Sequence, residues 1–251
     1  MKIGIVIEHC SAQRASRYVL DTAQYFTKKG HEVHIFANKF DTVDNDKIIF
    51  HKIPLISSNF YLREISFTLL SSILLKFHSF DVTLAQPTRY FSPDVAEMQF
   101  VFKRWVEYKK NNGVKIDLDD KILPFIEKVN VKKAKKIIVL SNSVKEDLIR
   151  YYNTPAGKIH VAYSGVNIEE FNPENRKKYR EEIRKKHGIS SNDFLILFVG
   201  NPYDRKGLEF VIRALSKIKT KLFGDILYFF SISLPNFALF FNENSCKSTP
   251  L

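Results

Sequence analysis

Cysteine, glycine and acidic residues are all scarce in this chain. Its 251 residues include only two cysteines, Cys10 and Cys246, far apart and outside any CxxC or Cys/His cluster. That excludes a disulfide framework and a structural zinc site, and it points to a reducing compartment. Glycine and proline number nine each, too few for a collagen-like or linker-type chain. The opening apolar run, Ile3–Ile7, stops after five residues at Glu8 and His9, too short for a secretory leader. The expectation is a cytoplasmic chain, with a peripheral place on the inner face of the cell membrane compatible with it. The longest uncharged stretches are the 11 residues Ile65–Leu75 and the 16 residues Ile226–Phe241. Both fall short of the ~20 that span a bilayer, and Ile65–Leu75 reads as a core helix.

Several motifs are missing as well. The first strand–helix loop, His9–Arg17, holds no glycine. The backbone approach to a pyrophosphate that G-x-G-x-x-G provides is therefore lacking, which disfavours a nicotinamide or flavin dehydrogenase. There is neither a GxxxxGK[ST] phosphate loop nor a GxSxG nucleophile elbow. His31 and His34 are three apart in a predicted strand with no carboxylate or cysteine partner in view, so they read as ordinary strand histidines and no metal is expected.

Acidic residues number 27 against 39 Lys and Arg, a formal charge of +12. The surplus is concentrated in residues 101–187, with 21 basic and 12 acidic side chains. Such a surplus favours phosphorylated small molecules, an anionic membrane surface or nucleic acid. With no stacking-aromatic pattern and no helix-turn-helix, nucleic acid is disfavoured.

With 45% apolar residues, the chain can bury a core. Lys2–Ile7 is a short apolar run without alternation, as in a strand covered on both faces. Arg17–Lys29 has helical spacing and Gly30 is its stop; His31–Ala37 is the next strand. This βαβ unit implies a parallel sheet. Strands are predicted at Ile48–Ile53, Asp81–Ala85, Ile137–Leu140 and Lys158–Ala162. Helices are predicted at Tyr61–Phe77, over 94–112, at Ile122–Lys136, and after a Ser143-x-x-Glu146 capping box. A second unit follows Gly165, with a polar helix over 172–188, a buried strand Phe194–Val199 and an amphipathic helix Leu208–Lys219.

The loop Gly200–Gly207 (GNPYDRKG) joins that strand to that helix. Open α/β sheets bind ligands at such junctions. Gly200 and Gly207 free the backbone there, while Arg205 and Lys206 bring two positive charges to a helix N-terminus. The arrangement suits a diphosphate, and on spacing alone a solvated basic turn accounts for it equally well.

Three segments together resemble the family 4 glycosyltransferases of the GT-B fold. Arg17–Ala37 (RYVLDTAQYFTKKGHEVHIFA) is similar to the family's opening helix, Gly-His-Glu-Val and second strand. Ala134–Pro173, with KKIIVLSNSVKEDLIRYYNTPAGKIHVAYSGVNIEEFNP, resembles the passage between its two domains. Phe198–Leu215 (FVGNPYDRKGLEFVIRAL) is similar to the start of its nucleotide-sugar domain. The stretch from Arg89 to Trp105 further resembles a bacterial branch that builds lipopolysaccharide core.

The resemblance implies an α/β chain made of two Rossmann-like domains. Residues 1–164 would form the acceptor-side domain and 165–219 the start of a nucleotide-sugar domain, followed by a Phe-rich tail over 220–251. It implies a retaining, metal-independent transfer of a sugar from a nucleotide-sugar, such as a UDP- or GDP-sugar, to a glycan or lipid-linked acceptor, with no further cofactor. Arg205, Lys206, Gly200 and Gly207 would hold the donor diphosphate. Arg14 and Arg17 are candidates in the first loop. Asp94 would be a catalytic residue on the acceptor side, a position that a helix cap explains equally well. A non-catalytic membrane-surface module with a basic face is the alternative.

Departures from the family pattern accompany the matches. Gln13 and Arg14 stand where the family has two glycines, Phe102 where the bacterial branch has a histidine, and Asn201 where many members have arginine. After Lys219 the family's two glutamates, eight positions apart, are missing. The tail has six Phe and four charged residues, and it reads as the product of truncation or a frameshift.

Overall fold

The computed structural model describes residues 1–10, 17–40, 46–56, 60–86, 88–169, 171–200, 206–215, 217, 227–234 and 237–241. The chain divides into two compact units, Met1–Gly165 and Val166–Leu251.

The first unit is a seven-stranded parallel sheet. Its strands are β1 (Lys2–Val6), β3 (Glu32–Ala37), β5 (Ile48–Lys52), β6 (Val82–Ala85), β7 (Val95–Met98), β8 (Lys136–Val139) and β9 (Ile159–Val161), in the order β5-β3-β1-β6-β7-β8-β9. Two short strands, β2 (His9–Cys10) and β4 (Lys39–Phe40), pair beside it. The strand order reverses between β1 and β6, the topological switch point of an open α/β sheet.

Both faces of β1 are buried, which explains its unbroken apolar run. Ile3, Ile5 and Ile7 pack with Val19, Leu20 and Ala23 of helix α1 (Arg17–Lys28). Val6 packs with Phe36, Ile53, Phe67 and Leu75, the last two on helix α2 (Phe60–Lys76). Gly30, at φ +85°, ends α1 in the left-handed conformation. A third cluster joins Ala96 and Met98 to Val131 of α4 (Asp119–Lys133) and Leu148 of α5 (Asn142–Tyr152).

The structure corrects several sequence expectations. Residues 94–112 are not one helix: they form β7 and then α3 (Phe102–Asn111). Pairing of Val95–Met98 with Lys136–Val139 fixes the strand, so tertiary context overrides local propensity. The N-cap of α5 is Ser141, whose hydroxyl accepts from the Val144 N–H at 3.3 Å, rather than Ser143. His34 does have a carboxylate partner, Glu32 at 2.6 Å, and its ring stacks on that of His51.

In the second unit, α6 (Glu174–Lys186) precedes β10 (Phe194–Val199), and α7 (Leu208–Leu215) follows it. Strands β11 (Leu227–Leu234) and β12 (Phe237–Phe241) extend the sheet in the order β10-β11-β12. β10 and β11 are parallel, β11 and β12 antiparallel. The tail thus forms strands although its sequence offers no turn chemistry to place them; β11 takes its register from β10, and β12 takes its register from β11.

Candidate functional site

Ligand-binding groups in a parallel sheet gather at the carboxyl ends of its strands. In the first unit that edge carries side chains just beyond β1 and β6 and near the end of β7. Glu8, 6% exposed, stands two residues beyond the end of β1. Its Oε2 lies 2.8 Å from Arg89 Nη2, and its Oε1 lies 3.5 Å from Arg63 Nε and 3.1 Å from His9 Nε2. Arg63 and Glu64 come from the first turn of α2, and Arg89 also pairs with Glu64. This is a compact network of two arginines and two glutamates on three elements. Arg89 Nε and Glu64 Oε1 are buried without a hydrogen-bond partner among the described residues.

Beside it, Tyr18 on α1 donates to Glu97 Oε2 at 2.5 Å, and Gln86 Nε2 donates to Tyr18 Oη at 3.3 Å. Glu97 is 6% exposed and its Oε1 has no hydrogen-bond partner among the described residues. Burial raises the Glu97 carboxyl above its usual range, against the opposing hydrogen bonds of Tyr18 and Gln99. Burial also raises the Tyr18 phenol, and the Glu97 charge adds to that. Ile7, Tyr18, Leu84, Gln86 and Glu97 line a shallow crevice that encloses no volume of its own, unlike the ~300–1,000 Å³ of ordinary small-molecule pockets. It offers hydroxyl-binding groups along a wall rather than a closed pocket.

The candidate residues read from the sequence fall in different places. Arg14 and Arg205 lie outside the described residues. Arg17 opens α1 at this edge, where its Nε meets Asp21 Oδ2 at 3.7 Å. Asp94 precedes β7, at the amino ends of the strands, and so stands at the edge opposite the Glu8 and Glu97 groups. It is not a helix cap. Its Oδ2 accepts from the Thr83 N–H and hydroxyl, each at 2.8 Å, and its Oδ1 lies 2.7 Å from Lys135 Nζ. Burial alone would raise its carboxyl, but the bonds from Lys135 and Thr83 outweigh that and hold it low. These contacts tie β6, β7 and the start of β8 together, which is a structural task.

In the second unit, Gly200, Lys206 and Gly207 do come together. A Cβ on Gly200 would meet Lys206 Cβ and Cγ at 2.8 Å, so only glycine lets the lysine stem lie across the end of β10. Gly207 has φ +80°, and its carbonyl accepts from the Phe210 N–H at 3.1 Å, opening α7. Lys206 is exposed beside that helix start. A cation and the free N–H groups of a helix N-terminus suit an anionic ligand.

Sequence reading missed Glu8, Glu97, Arg63 and Arg89. A carboxylate directly after a buried strand was the available signal for Glu8. Glu97 was hidden by the helix expected over its segment.

Residues 15–170 match Glycosyltransferase Family 4. An uncharacterized glycosyltransferase of Methanocaldococcus jannaschii is 33% identical over 100 residues, 40% of this chain and 26% of that protein. The lipopolysaccharide glucosyltransferase WaaG of Escherichia coli is 28% identical over 97 residues, 39% of this chain and 26% of its own length. The match thus spans about a quarter of each of these curated relatives. Among solved structures, WaaG superposes at TM-score 0.72 and 18% identity, over 91% of this chain and 62% of that one. Anabaena HepE in complex with UDP-glucose superposes at TM-score 0.59 and 13% identity, over 92% and 60%. These structural likenesses are of fold, and the fold is GT-B.

Proposed function

Because the chain belongs to the family 4 glycosyltransferases, we propose that it serves the transfer of a sugar from a nucleotide diphosphate to a glycan or lipid-linked acceptor. The observation that carries the donor assignment is the packing of the Lys206 stem over Gly200 beside the α7 N-terminus. The UDP-glucose complex of HepE supports a nucleotide-sugar as donor.

In this reading the bond from the anomeric carbon to the diphosphate breaks and the diphosphate leaves with the electron pair. Lys206, Arg205 and the α7 N–H groups stabilise the charge that develops there. The acceptor oxygen bonds to the anomeric carbon with retention, and its proton goes to the departing diphosphate. No metal takes part. Glu8, Tyr18 and Glu97 bind acceptor hydroxyls, and the product belongs to lipopolysaccharide or another cell-surface polysaccharide assembled at an anionic membrane.

Calorimetric titration of the chain with UDP and with GDP tests the donor site. One of the two should bind, and Lys206→Ala and Arg205→Ala should each weaken it about tenfold, the loss of one charge-assisted contact. If neither nucleotide binds, the donor assignment fails and the non-catalytic membrane module takes its place.

A further inference from the structure

Three imidazoles meet on the α2 side of the sheet. His34 comes from β3, His51 from β5, and His78 from the turn that ends α2. The His34 and His51 rings lie within 11° of parallel, and His34 Nδ1 is 2.7 Å from His51 Nε2. His51 also stacks on Phe36 at 4.4 Å between ring centroids, and the His78 ring meets it edge-on at 4.8 Å. Phe80 closes the group, 5.2 Å from His34 and 5.8 Å from His78. His78 Nδ1 donates to the Leu74 carbonyl at 3.0 Å. These rings fasten the last turn of α2 to β3 and β5.

The hydrogen bonds decide how many protons the group can take. His34 is 4% exposed, and its Nε2 lies 2.6 Å from Glu32 Oε1. An ionised carboxylate only accepts, so this nitrogen carries the hydrogen. Nδ1 of the neutral His34 ring then accepts from the His51 N–H. One added proton fits, on the outer nitrogen of His51. A second would set two N–H groups against each other at 2.7 Å. A charged His78 would stand 4.8 Å from a charged His51. The 2.7 Å separation is also shorter than the roughly 3.3 Å between two nitrogens on a tetrahedral zinc, so the ligand this pair suits is the proton. The nearby charges are Lys2 on β1 and Glu32 on β3, 3.3 Å apart, and Asp81, which accepts from the Lys2 N–H at 2.6 Å. Asp46 and Lys47 before β5, Lys52 on it and Lys76 on α2 are exposed. Burial first, then the charges of His34, His78 and Lys2, lowers the His51 ring from 6.5 to about 4.

We propose that His34, His51 and His78 form a pH-sensitive latch that holds the C-terminal end of α2 on β3 and β5 when neutral and releases it in acid. The folded value of His51 lies below the unfolded one. Its contribution is therefore complete above about 6.5 and is lost as pH falls toward about 4. Through α2 the latch reaches the acceptor edge, because the first turn of that helix supplies Arg63 and Glu64 to the Glu8 network. The inference is independent of the donor assignment, and its test uses no nucleotide.

The experiment is amide hydrogen exchange of the full chain at pH 7 and pH 5, expressed as protection factors so that the intrinsic pH dependence cancels. Protection over Leu75–His78 should fall about tenfold at pH 5, the His51 shift being discounted for the solvent screening of a half-buried ring. Amides of α5 in the same unit should keep theirs. His51→Gln stays neutral and can still donate to His34, so it should cut the fall at Leu75–His78 to about twofold or less. If that variant does not fold, His51→Phe, which keeps the stack on Phe36, replaces it. In ring-proton NMR, His51 should titrate well below the other exposed histidines. A tenfold fall that persists in the folded variant would overturn the proposal. So would unchanged protection in the wild type, or an equal loss across α5, which would be global acid unfolding rather than release of one helix end.

Discussion

Glu127 lies buried between α3, α4 and α5, accepting from the Tyr152 hydroxyl at 2.5 Å and from the Phe102 N–H at 3.0 Å. Burial lifts its carboxyl to about 8, against those two hydrogen bonds. The folded value thus exceeds the unfolded one. Below the unfolded value both states hold the proton, and the group contributes nothing. As pH rises from there to about 8, the unfolded chain gives up its proton first and stability falls. Glu127→Gln keeps an acceptor oxygen and removes the charge. It should raise the Tm at pH 9 by an amount worth a few kcal/mol, on the order of 1.4 kcal/mol per pKa unit, and change little at pH 4. Asp94 has the opposite sign, since Lys135 and Thr83 hold its carboxyl low. Its contribution is present above the unfolded value and is lost as pH falls through the folded one. Asp94→Ala should lower the Tm at pH 7, less so in acid, and leave nucleotide affinity unchanged. A loss of nucleotide affinity at full stability would instead place Asp94 in the site.

At the scale of elements, Gly4 in β1 sits against the Phe80 ring, where an added Cβ would lie 3.1 Å from Cδ2. Gly4→Val should destabilise the first unit by roughly 1–3 kcal/mol through overpacking, read by urea unfolding. Ser141→Ala, which removes the α5 cap, should cost about 1 kcal/mol in the same measurement. Elements whose periodicity and stop signals agreed, such as β1, α1 with Gly30, and β10, were legible in the sequence. Those whose partners are distant were not. The segment Val95–Met98 is a strand because β6 and β8 flank it. The apolar run in α2 was expected to fill a core, and Phe67 and Leu75 do, but Ile65, Leu69 and Ile73 face water, while Thr68 and Ser71 turn inward to the carbonyls of Thr88 and Arg89. An apolar count shows how much surface a helix offers, not which side its neighbours cover.

At the scale of the whole molecule, the two units are joined through Ala162–Glu169, in which every residue is exposed. Limited chymotrypsin digestion should therefore cut first after Tyr163, 71% exposed, and release an N-terminal fragment that keeps its circular dichroism. Early cleavage within the β1–β9 sheet instead would mean that the first unit is not a self-sufficient core. Among the described residues no helix is long and apolar enough to cross a membrane. The sequence by itself determined the alternation of strands and helices, the parallel class of the sheet and the Gly200–Lys206–Gly207 junction. Each of these depends on neighbours a few positions apart: an unbroken apolar run, a 3.6-residue period, a glycine where φ must be positive. Only the tertiary structure decided that Asp94 stands at the amino edge, that Glu8, Arg63 and Arg89 meet, and that Tyr18 closes on Glu97 from 79 positions away. Such contacts follow from strand order and register, which are set by burial across the whole sheet and leave no local trace.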